Sequence, residues 1–394
     1  LGALGSMSAV GAMSGAPLLQ GCSPALPPSL PPGRLLGDAP ELGHRLRADG
    51  AEGFPAPSET RRIPVLIVGG GIGGLAAGWK LARSGFSDFQ LLEMSGETGG
   101  NSRGLSTVAG ACPMAAHYLP LPGVEAVAVR ELLAELGVLQ GDPRAPRPTY
   151  DERYLCAAPQ ERLYRNGLWQ EGLWPQIGAT AGDRAQYAQF NERMAAFRER
   201  RAFTVPMALS RCSPELLALD RVSMRDWLFA QMLDSAPLHW YVDYACRDDY
   251  GTASAETSAW AGIHYFACRS GEAANAEHDT VLTAPDGNAW LARGLARGIT
   301  SRAAGRIVNN ALAYRVEPTR SSVRVDVFFP AEGRSVRYEA AQLIWAAPLF
   351  LVPRVFVGEP RLVAAARQYS HAPWLVANLA VSRLPSAGAG ASLA

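Results

Sequence analysis

The sequence predicts an α/β fold in which a nucleotide-binding domain is interrupted by a mostly helical domain. Three observations predict it. A buried apolar run, a glycine-rich turn and a helix open the folded part of the chain. Aromatic-rich helical patterns follow, and alternating β patterns then return. We therefore divide the folded chain into a nucleotide-binding part at residues 61–150, a substrate domain at 151–285, and a return to the first domain at 286–394.

The individual elements follow from the spacing of apolar residues. The continuous apolar run at 63–68 is typical of a strand that is buried on both faces, and glycine at 137 is a helix stop signal. The predicted strands are Ile63–Val68, Phe89–Glu93, Leu312–Val316, Val323–Phe329 and Val336–Ile344. The predicted helices are Ile72–Ser84, Val124–Leu136, Arg184–Arg201, Ser223–Leu233 and Ala255–Cys268.

Composition narrows the classes of function. The chain has 394 residues, of which 48% are hydrophobic, so it can bury a large core. Its net charge of +1 provides no field that would attract nucleic acid, and a small-molecule substrate is expected instead. The six cysteines form no C-x-x-C pair, and no His pair has ligand spacing, so we expect no metal site. Lys80 is the single lysine of the sequence.

The N-terminal region predicts export. Residues 1–21 are uncharged, rich in Ala, Gly, Leu and Met, and followed by Cys22, which is typical of a secretory signal with a lipoprotein-type cleavage site. Acylation of Cys22 would tether a periplasmic or membrane-anchored protein. The alternative is a disordered tail on a cytoplasmic protein. Residues 23–60 are rich in proline and are expected to form a linker. Because the sequence begins with Leu1 and ends without a closing element, we expect a fragment at both ends.

The glycine-rich turn at 69–74 predicts a dinucleotide site. Gly69, Gly71 and Gly74 match the G-x-G-x-x-G pattern directly after a strand and at the start of a helix. The first glycine permits the tight turn, the second lets the backbone approach a diphosphate, and the third allows close packing of helix and strand. Ile72 and Gly73 lie between them, where helix N-terminal amides bind phosphate oxygens. The alternative is a chance glycine-rich turn. The full pattern favours a Rossmann-like domain.

Glu93 is the predicted ribose ligand of this domain. It ends the second strand, nineteen residues after Gly74, where its carboxylate can accept hydrogen bonds from both ribose hydroxyls. A 2′-phosphate would be repelled, which disfavours NADP. We therefore expect Glu93→Ala to weaken cofactor binding while leaving folding largely intact.

The residues after Glu93 favour FAD over NAD. Gly99, Gly100 and Arg103 let a second backbone turn and a guanidinium approach the same diphosphate. This extension resembles the fingerprint of the flavin-containing amine oxidase superfamily. Three further segments, at 113–120, 283–291 and 338–352, are similar to family segments beside the flavin and occur in the family's order. The resemblance implies FAD as cofactor, cofactor contacts at Ala116 and Val308, and a closing segment beyond residue 394.

The resemblance also implies a hydride donor held against flavin N5, with His117 and Tyr118 beside the ring. In the helical domain, His264 is a candidate proton acceptor in an aromatic pocket. For each of these three residues a purely structural role is the alternative. Many amine oxidases of the family also use a lysine near N5, and Lys80 is the only candidate here; we expect it on the surface instead.

The leading interpretation is an FAD-dependent oxidoreductase that acts on an amine or a similar small donor. A nicotinamide-dependent dehydrogenase would use the same glycine-rich turn but has no need of the 99–103 extension. A non-catalytic binding or escort protein with the same fold is the third alternative, and the scarcity of lysine is compatible with it.

Overall fold

A computed structural model describes residues 33–37, 40–156, 161–277 and 280–382. The predicted signal segment, with Cys22, and residues 23–32 of the predicted linker lie outside the described residues. The chain divides into two units, Leu1–Gly37 and Asp38–Ala394. The second unit contains the secondary structure considered below.

The second unit contains fourteen strands and eleven α-helices among its described residues. The strands are β1 Pro57–Val68, β2 Phe89–Leu92, β3 Gly104–Thr107, β4 Gly110–Pro113, β5 Tyr118–Pro120, β6 Leu139–Gln140, β7 Thr149–Tyr150, β8 Arg162–Arg165, β9 Leu168–Glu171, β10 Val281–Thr283, β11 Ile307–Val308, β12 Leu312–Pro318, β13 Val323–Phe329 and β14 Arg334–Trp345. The helices are α1 Pro40–Asp49, α2 Ile72–Arg83, α3 Val127–Glu135, α4 Ala181–Glu199, α5 Pro214–Ala218, α6 Met224–Ala230, α7 Ala236–Tyr250, α8 Ala259–Ala267, α9 Ala289–Arg302, α10 Val352–Val355 and α11 Pro360–Ala366.

A six-stranded sheet organises the nucleotide-binding part, in the order β11-β2-β1-β14-β13-β12. Strands β11, β2, β1 and β14 are parallel, whereas β14, β13 and β12 form an antiparallel meander. The long strand β14 therefore belongs to both halves of the sheet. The predicted α/β fold with a strand–helix–strand start is confirmed.

The central strand β1 is apolar because both of its faces are buried. Val65 and Ile67 pack into the cluster that contains α2 and α9, while Leu66 and Val68 point to the opposite cluster with the meander. Successive side chains of a strand alternate between faces. A strand covered on both sides therefore reads as a continuous apolar run, as it does here.

The predicted linker at 23–60 differs from the structure in its second half. Helix α1 and the following turn place Leu46 and Phe54, 2% and 7% exposed, in the core cluster on the meander side. Phe54 stacks on Tyr314 with ring centres 4.6 Å apart, and Arg45 covers the Phe54 ring. Two buried apolar side chains thus anchor this segment to the core, although the segment as a whole contains few large apolar residues.

The inserted region has its own apolar core. Helices α4, α6, α7 and α8 share a cluster of buried residues between 190 and 268, separate from the two clusters of the sheet. The hairpin β8–β9 adds a small two-stranded sheet. Helix α7 lies in a region without a predicted helix, although Ser235 caps its N-terminus and Pro237 occupies its first turn.

The chain enters and leaves the inserted region at neighbouring positions. Leu155 and Leu282 form an antiparallel bridge. The amide of Cys156 donates to the Val281 carbonyl at 3.0 Å, and the amide of Thr283 donates to the Tyr154 carbonyl at 2.8 Å. Strand β10 pairs with β5 on its other edge. The start and the end of the insertion are therefore hydrogen-bonded to each other and anchored next to the nucleotide-binding part.

Within the described ranges, no helix combines the length and the apolar character needed to cross a bilayer. Over the same residues, no group of three or more His, Cys, Asp or Glu side chains is arranged to hold a metal ion.

Candidate cofactor and substrate site

Three predicted cofactor residues lie at the carboxyl edge of the parallel strands, together with Ala346. Gly69 follows β1, Glu93 follows β2, Val308 ends β11 and Ala346 follows β14. The amide of Ala346 donates to the Val68 carbonyl at 2.8 Å, and the amide of Glu93 donates to the Val308 carbonyl at 2.9 Å. Ligands of open α/β sheets bind outside this edge. Residues far apart in sequence thus surround one position.

The turn between β1 and α2 requires its glycines. Gly69 has φ +106°, and a Cβ there would lie 2.7 Å from the Ala346 backbone. A Cβ on Gly74 would lie 1.8 Å from the Gly69 carbonyl oxygen. Ile72 and Gly73, at the start of α2, are exposed, and no side chain caps the helix N-terminus. Its first amides are therefore directed to an open position that suits an anion.

Glu93 is held in place by two backbone amides. Its Oε2 accepts from the Gly70 amide and its Oε1 from the Ser95 amide, each at 2.7 Å. A carboxylate oxygen accepts more than one hydrogen bond, so both oxygens retain capacity for ribose hydroxyls. The expectation that Glu93→Ala leaves folding largely intact needs revision, because the buried residues Gly70 and Ser95 would lose their acceptors.

The second glycine pair lies directly against the first turn. The Gly99 amide donates to the Gly70 carbonyl at 2.8 Å, and a Cβ on Gly100 would lie 3.2 Å from the Gly71 Cα. Arg103, 8% exposed, donates from Nε to the Gly100 carbonyl at 3.1 Å. The structure thus brings both predicted diphosphate-binding turns together.

Two segments that carry the family resemblance meet beside these turns. The Ala116 amide donates to the Asn101 carbonyl, and the Ala116 carbonyl accepts from the Asn288 amide, both at 2.9 Å. The Asn288 Nδ2 donates to the Tyr118 carbonyl at 2.8 Å. A Cβ on Gly287 would lie 2.7 Å from the Ala116 carbonyl oxygen. Segment 113–118 therefore contacts both the 99–103 turn and the start of α9.

The side chains of His117 and Tyr118, next to the contact between segment 113–118 and the start of α9, lie in different environments. His117 is exposed, and its Nδ1 lies 3.2 Å from the Ala115 carbonyl oxygen. Because a carbonyl only accepts, Nδ1 carries the proton in this contact and Nε2 is an acceptor in the neutral ring. Tyr118 is half-buried and accepts a hydrogen bond from Arg269.

His264 lies on α8 among aromatic side chains. Its Nε2 donates to the Thr204 carbonyl at 3.0 Å, and its ring stacks on Trp260 with ring centres 5.2 Å apart. Burial lowers the pKa of His264 below its ordinary value of 6.5. The neutral tautomer with the proton on Nε2 fits this environment. These contacts show His264 as a packed side chain of the helical insertion, and its proposed role in proton transfer stays a prediction.

The lowered pKa of His264 predicts that acid destabilises the protein. The unfolded chain binds a proton more readily than the folded one, so stability falls as the pH drops below the ordinary histidine pKa of 6.5. His264→Gln retains a donor for Thr204 and is expected to flatten this part of the profile of unfolding temperature against pH. His44→Gln, at an exposed position of α1, is the matched control for replacing a histidine by glutamine. Identical slopes for all three proteins would contradict the prediction.

Lys80 has the surface position that the sequence analysis predicts. Its side chain is 60% exposed on α2, and its Nζ lies 3.5 Å from Glu131 Oε2. It is thus part of an exposed ion pair, which contributes little to stability.

Two residues of the site escape the sequence analysis. Asn288 joins the start of α9 to segment 116–118 through its amide and its side chain. Arg269 contacts Tyr118 from the end of α8. The similarity of segment 283–291 to the family is a signal for Asn288, but no local pattern distinguishes Arg269 from the other arginines.

Comparison with known proteins identifies the domain at the start of the site. The model of the NAD(P)-binding Rossmann-like domain matches residues 67–136, which include the glycine-rich turn and Glu93. A comparison with curated protein sequences finds no match.

Solved structures share the fold at low sequence identity. A double mutant of putrescine oxidase aligns with a TM-score of 0.57 and 17% identity, over 78% of this chain and 64% of that one. A CLA-producing fatty acid isomerase from P. acnes gives 0.53 and 15%, over 77% and 63%. Cyclohexylamine oxidase from Brevibacterium oxydans gives 0.50 and 18%, over 78% and 62%.

The chain spans less than two thirds of the length of each of these structures. At this level of identity the similarity establishes architecture. The resemblance that the sequence shows to the flavin-containing amine oxidase superfamily is confirmed as a likeness of fold. The chain therefore carries an NAD(P)-binding Rossmann-like domain within the fold shared by putrescine oxidase and cyclohexylamine oxidase.

Proposed function

We propose that the protein is an FAD-dependent oxidoreductase that removes a hydride from an amine or a similar small organic donor. The observation that carries the proposal is the contact between the two glycine turns, Gly69–Gly74 and Gly99–Gly100, beside Glu93. A single dinucleotide turn serves NAD equally well, whereas the second turn with Arg103 supplies additional contacts to a diphosphate. Two structures with the same fold are named as oxidases of amines, which supports the donor class.

The residues present fit FAD. The amides at the start of α2 suit its diphosphate, and a side chain at Gly100 would enter the narrow space between the turns. Glu93 is oriented by Gly70 and Ser95 to accept ribose hydroxyls. Bound FAD would supply the hydride acceptor.

The remaining task of the protein is to position the donor and to accept a proton from it. His117 is exposed next to the junction of segments 113–118 and 283–291, with Nε2 as the available acceptor. An imidazole nitrogen without a proton can accept one from the donor, so His117 is the candidate base. Tyr118 is the neighbouring candidate for contact with the donor.

The proposal is tested with the full-length protein. We expect the purified protein to show the visible absorption of oxidised flavin, and anaerobic addition of at least one donor from a panel of putrescine, cyclohexylamine and phenylalanine to bleach it. A colourless protein that binds NAD instead would support the dehydrogenase alternative. Flavin that no amine reduces would support a binding or escort role.

A further inference from the structure

Arg269 follows α8 with its guanidinium between two phenol rings. Its Cζ lies 4.6 Å from the ring centre of Tyr265 and 5.6 Å from that of Tyr118. Its Nη2 donates to the Tyr118 hydroxyl at 3.1 Å. A planar guanidinium that packs on aromatic rings keeps a fixed orientation. Arg269 is therefore positioned rather than solvated as a flexible surface side chain.

Within the part of the chain that the structure describes, no acidic side chain forms an ion pair with Arg269. Asp249 contributes to the electrostatics of Arg269 through a charge interaction. Burial alone would lower the pKa of the Arg269 guanidinium, but Tyr265, Tyr118 and Asp249 raise it above its ordinary value. A half-buried, permanently charged guanidinium with N–H groups besides the one that donates to Tyr118 is suited to bind an anion.

Tyr118 provides a second donor at the same place. Its hydroxyl oxygen accepts from Arg269, so the hydroxyl proton remains to be donated. Burial raises the pKa of Tyr118, which keeps the phenol protonated at neutral pH. Arg269 and Tyr118 thus present hydrogen-bond donors side by side.

These donors lie next to the proposed cofactor site. Tyr118 is two residues after Ala116, and its carbonyl accepts from Asn288 at the start of α9. It begins β5, which pairs with the strand that returns from the helical insertion. The two side chains therefore meet where the substrate domain faces the nucleotide-binding part.

We propose that Arg269 and Tyr118 bind a carboxylate of the substrate, so that the hydride donor is an amine that also carries a carboxylate. The inference rests on the proposed function and specifies its substrate class. Asp248 and Asp249 of α7 act on Tyr118 and Tyr265 at longer range. Carboxyl groups on this side complement an ammonium group, even though burial raises the pKa of Asp249, while the guanidinium takes the carboxylate.

A non-oxidisable probe tests the carboxylate site without turnover. We expect benzoate to raise the unfolding temperature of the full-length protein, and benzyl alcohol at the same concentration to have no effect. Arg269→Met should abolish the shift and Arg269→Lys should reduce it. The matched control is Arg198→Met, since Arg198 is a part-buried arginine that donates to the Phe266 carbonyl, and it should keep the shift.

A comparison of two hydride donors, one with and one without a carboxylate, tests this inference separately from the proposed function. With phenylalanine and phenethylamine as donors, Arg269→Met should raise KM for the amino acid by about tenfold or more and leave KM for the amine unchanged. Flavin reduction by amines that carry no carboxylate, without a benzoate effect in the wild type, would overturn the inference and leave the proposed function intact. A benzoate shift that persists in Arg269→Met would also overturn it.

Discussion

Gly74→Ala is expected to prevent cofactor binding and to destabilise the protein. The added Cβ would lie 1.8 Å from the Gly69 carbonyl oxygen and 3.3 Å from the Ala346 Cβ. The nearest colliding atoms belong to the backbone after β1, which cannot rotate away as a flexible side chain could. The helix must therefore move away from the sheet. Overpacking costs about 1–3 kcal/mol and occasionally more, and a backbone obstacle places this case at the upper end. Chemical denaturation and the flavin content of the purified protein measure the two effects.

Gly73→Ala is the matched control. It adds the same methyl group one residue earlier in the same helix, where no atom lies within 4 Å of the new Cβ. Because alanine is favoured over glycine in helices by about 0.5–1 kcal/mol, its stability should equal or exceed that of the wild type. If Gly74→Ala retained flavin and unfolded at the wild-type denaturant concentration, the proposed packing of the turn would be wrong.

Glu93→Ala is expected to weaken FAD binding and to lower the stability of the protein without cofactor. Loss of one charge-assisted hydrogen bond to the ribose costs about 1.5–3 kcal/mol, equivalent to a dissociation constant roughly 10- to 150-fold higher. The amides of Gly70 and Ser95 also lose their acceptors, at about 1–3 kcal/mol for each buried donor that stays unsatisfied. Quenching of flavin fluorescence on titration, and denaturation without FAD, measure the two terms separately.

Glu93→Gln and a distant glutamate complete the comparison. Glutamine keeps one oxygen acceptor and removes the charge, so its affinity should lie between those of the wild type and Glu93→Ala. Glu332→Ala, in the exposed turn between β13 and β14, should bind FAD like the wild type. Unchanged affinity in Glu93→Ala would contradict the assignment of the ribose ligand.

The sequence predicts those parts of the fold that depend on local pattern. The bounds of β13 agree with its alternating run, and α2 follows its glycine-rich turn. The N-terminal half of β1 escapes prediction because residues 58–62 are polar and exposed, and pairing of this half with residues 335–339 of β14 makes it a strand. Helix α7 is absent from the predicted helices although Ser235 and Pro237 are helix start signals. The sequence therefore contains the information needed to predict it.

In the candidate site too, the sequence predicts contacts within one local segment but not contacts between distant segments. The glycine turns and Glu93 lie within about thirty-five residues, and their spacing alone predicts their proximity. The contact between Arg269 and Tyr118 joins positions 151 residues apart, and the Asn288 bond to Tyr118 spans 170. Contacts of this kind are set by how the insertion packs against the sheet. A periodic pattern in one segment carries no information about them.

The hydrogen-bonded pairing of Tyr154–Cys156 with Val281–Thr283 has a consequence for how such proteins diversify. A segment whose two ends lie side by side can be exchanged for another of different length without displacing the strands that flank it, and the closure entropy grows only slowly with length. Exchange of the inserted region at these two positions would leave the strands of the nucleotide-binding part unaltered. The architecture therefore permits the inserted region to change in sequence and length independently of the glycine-rich turns.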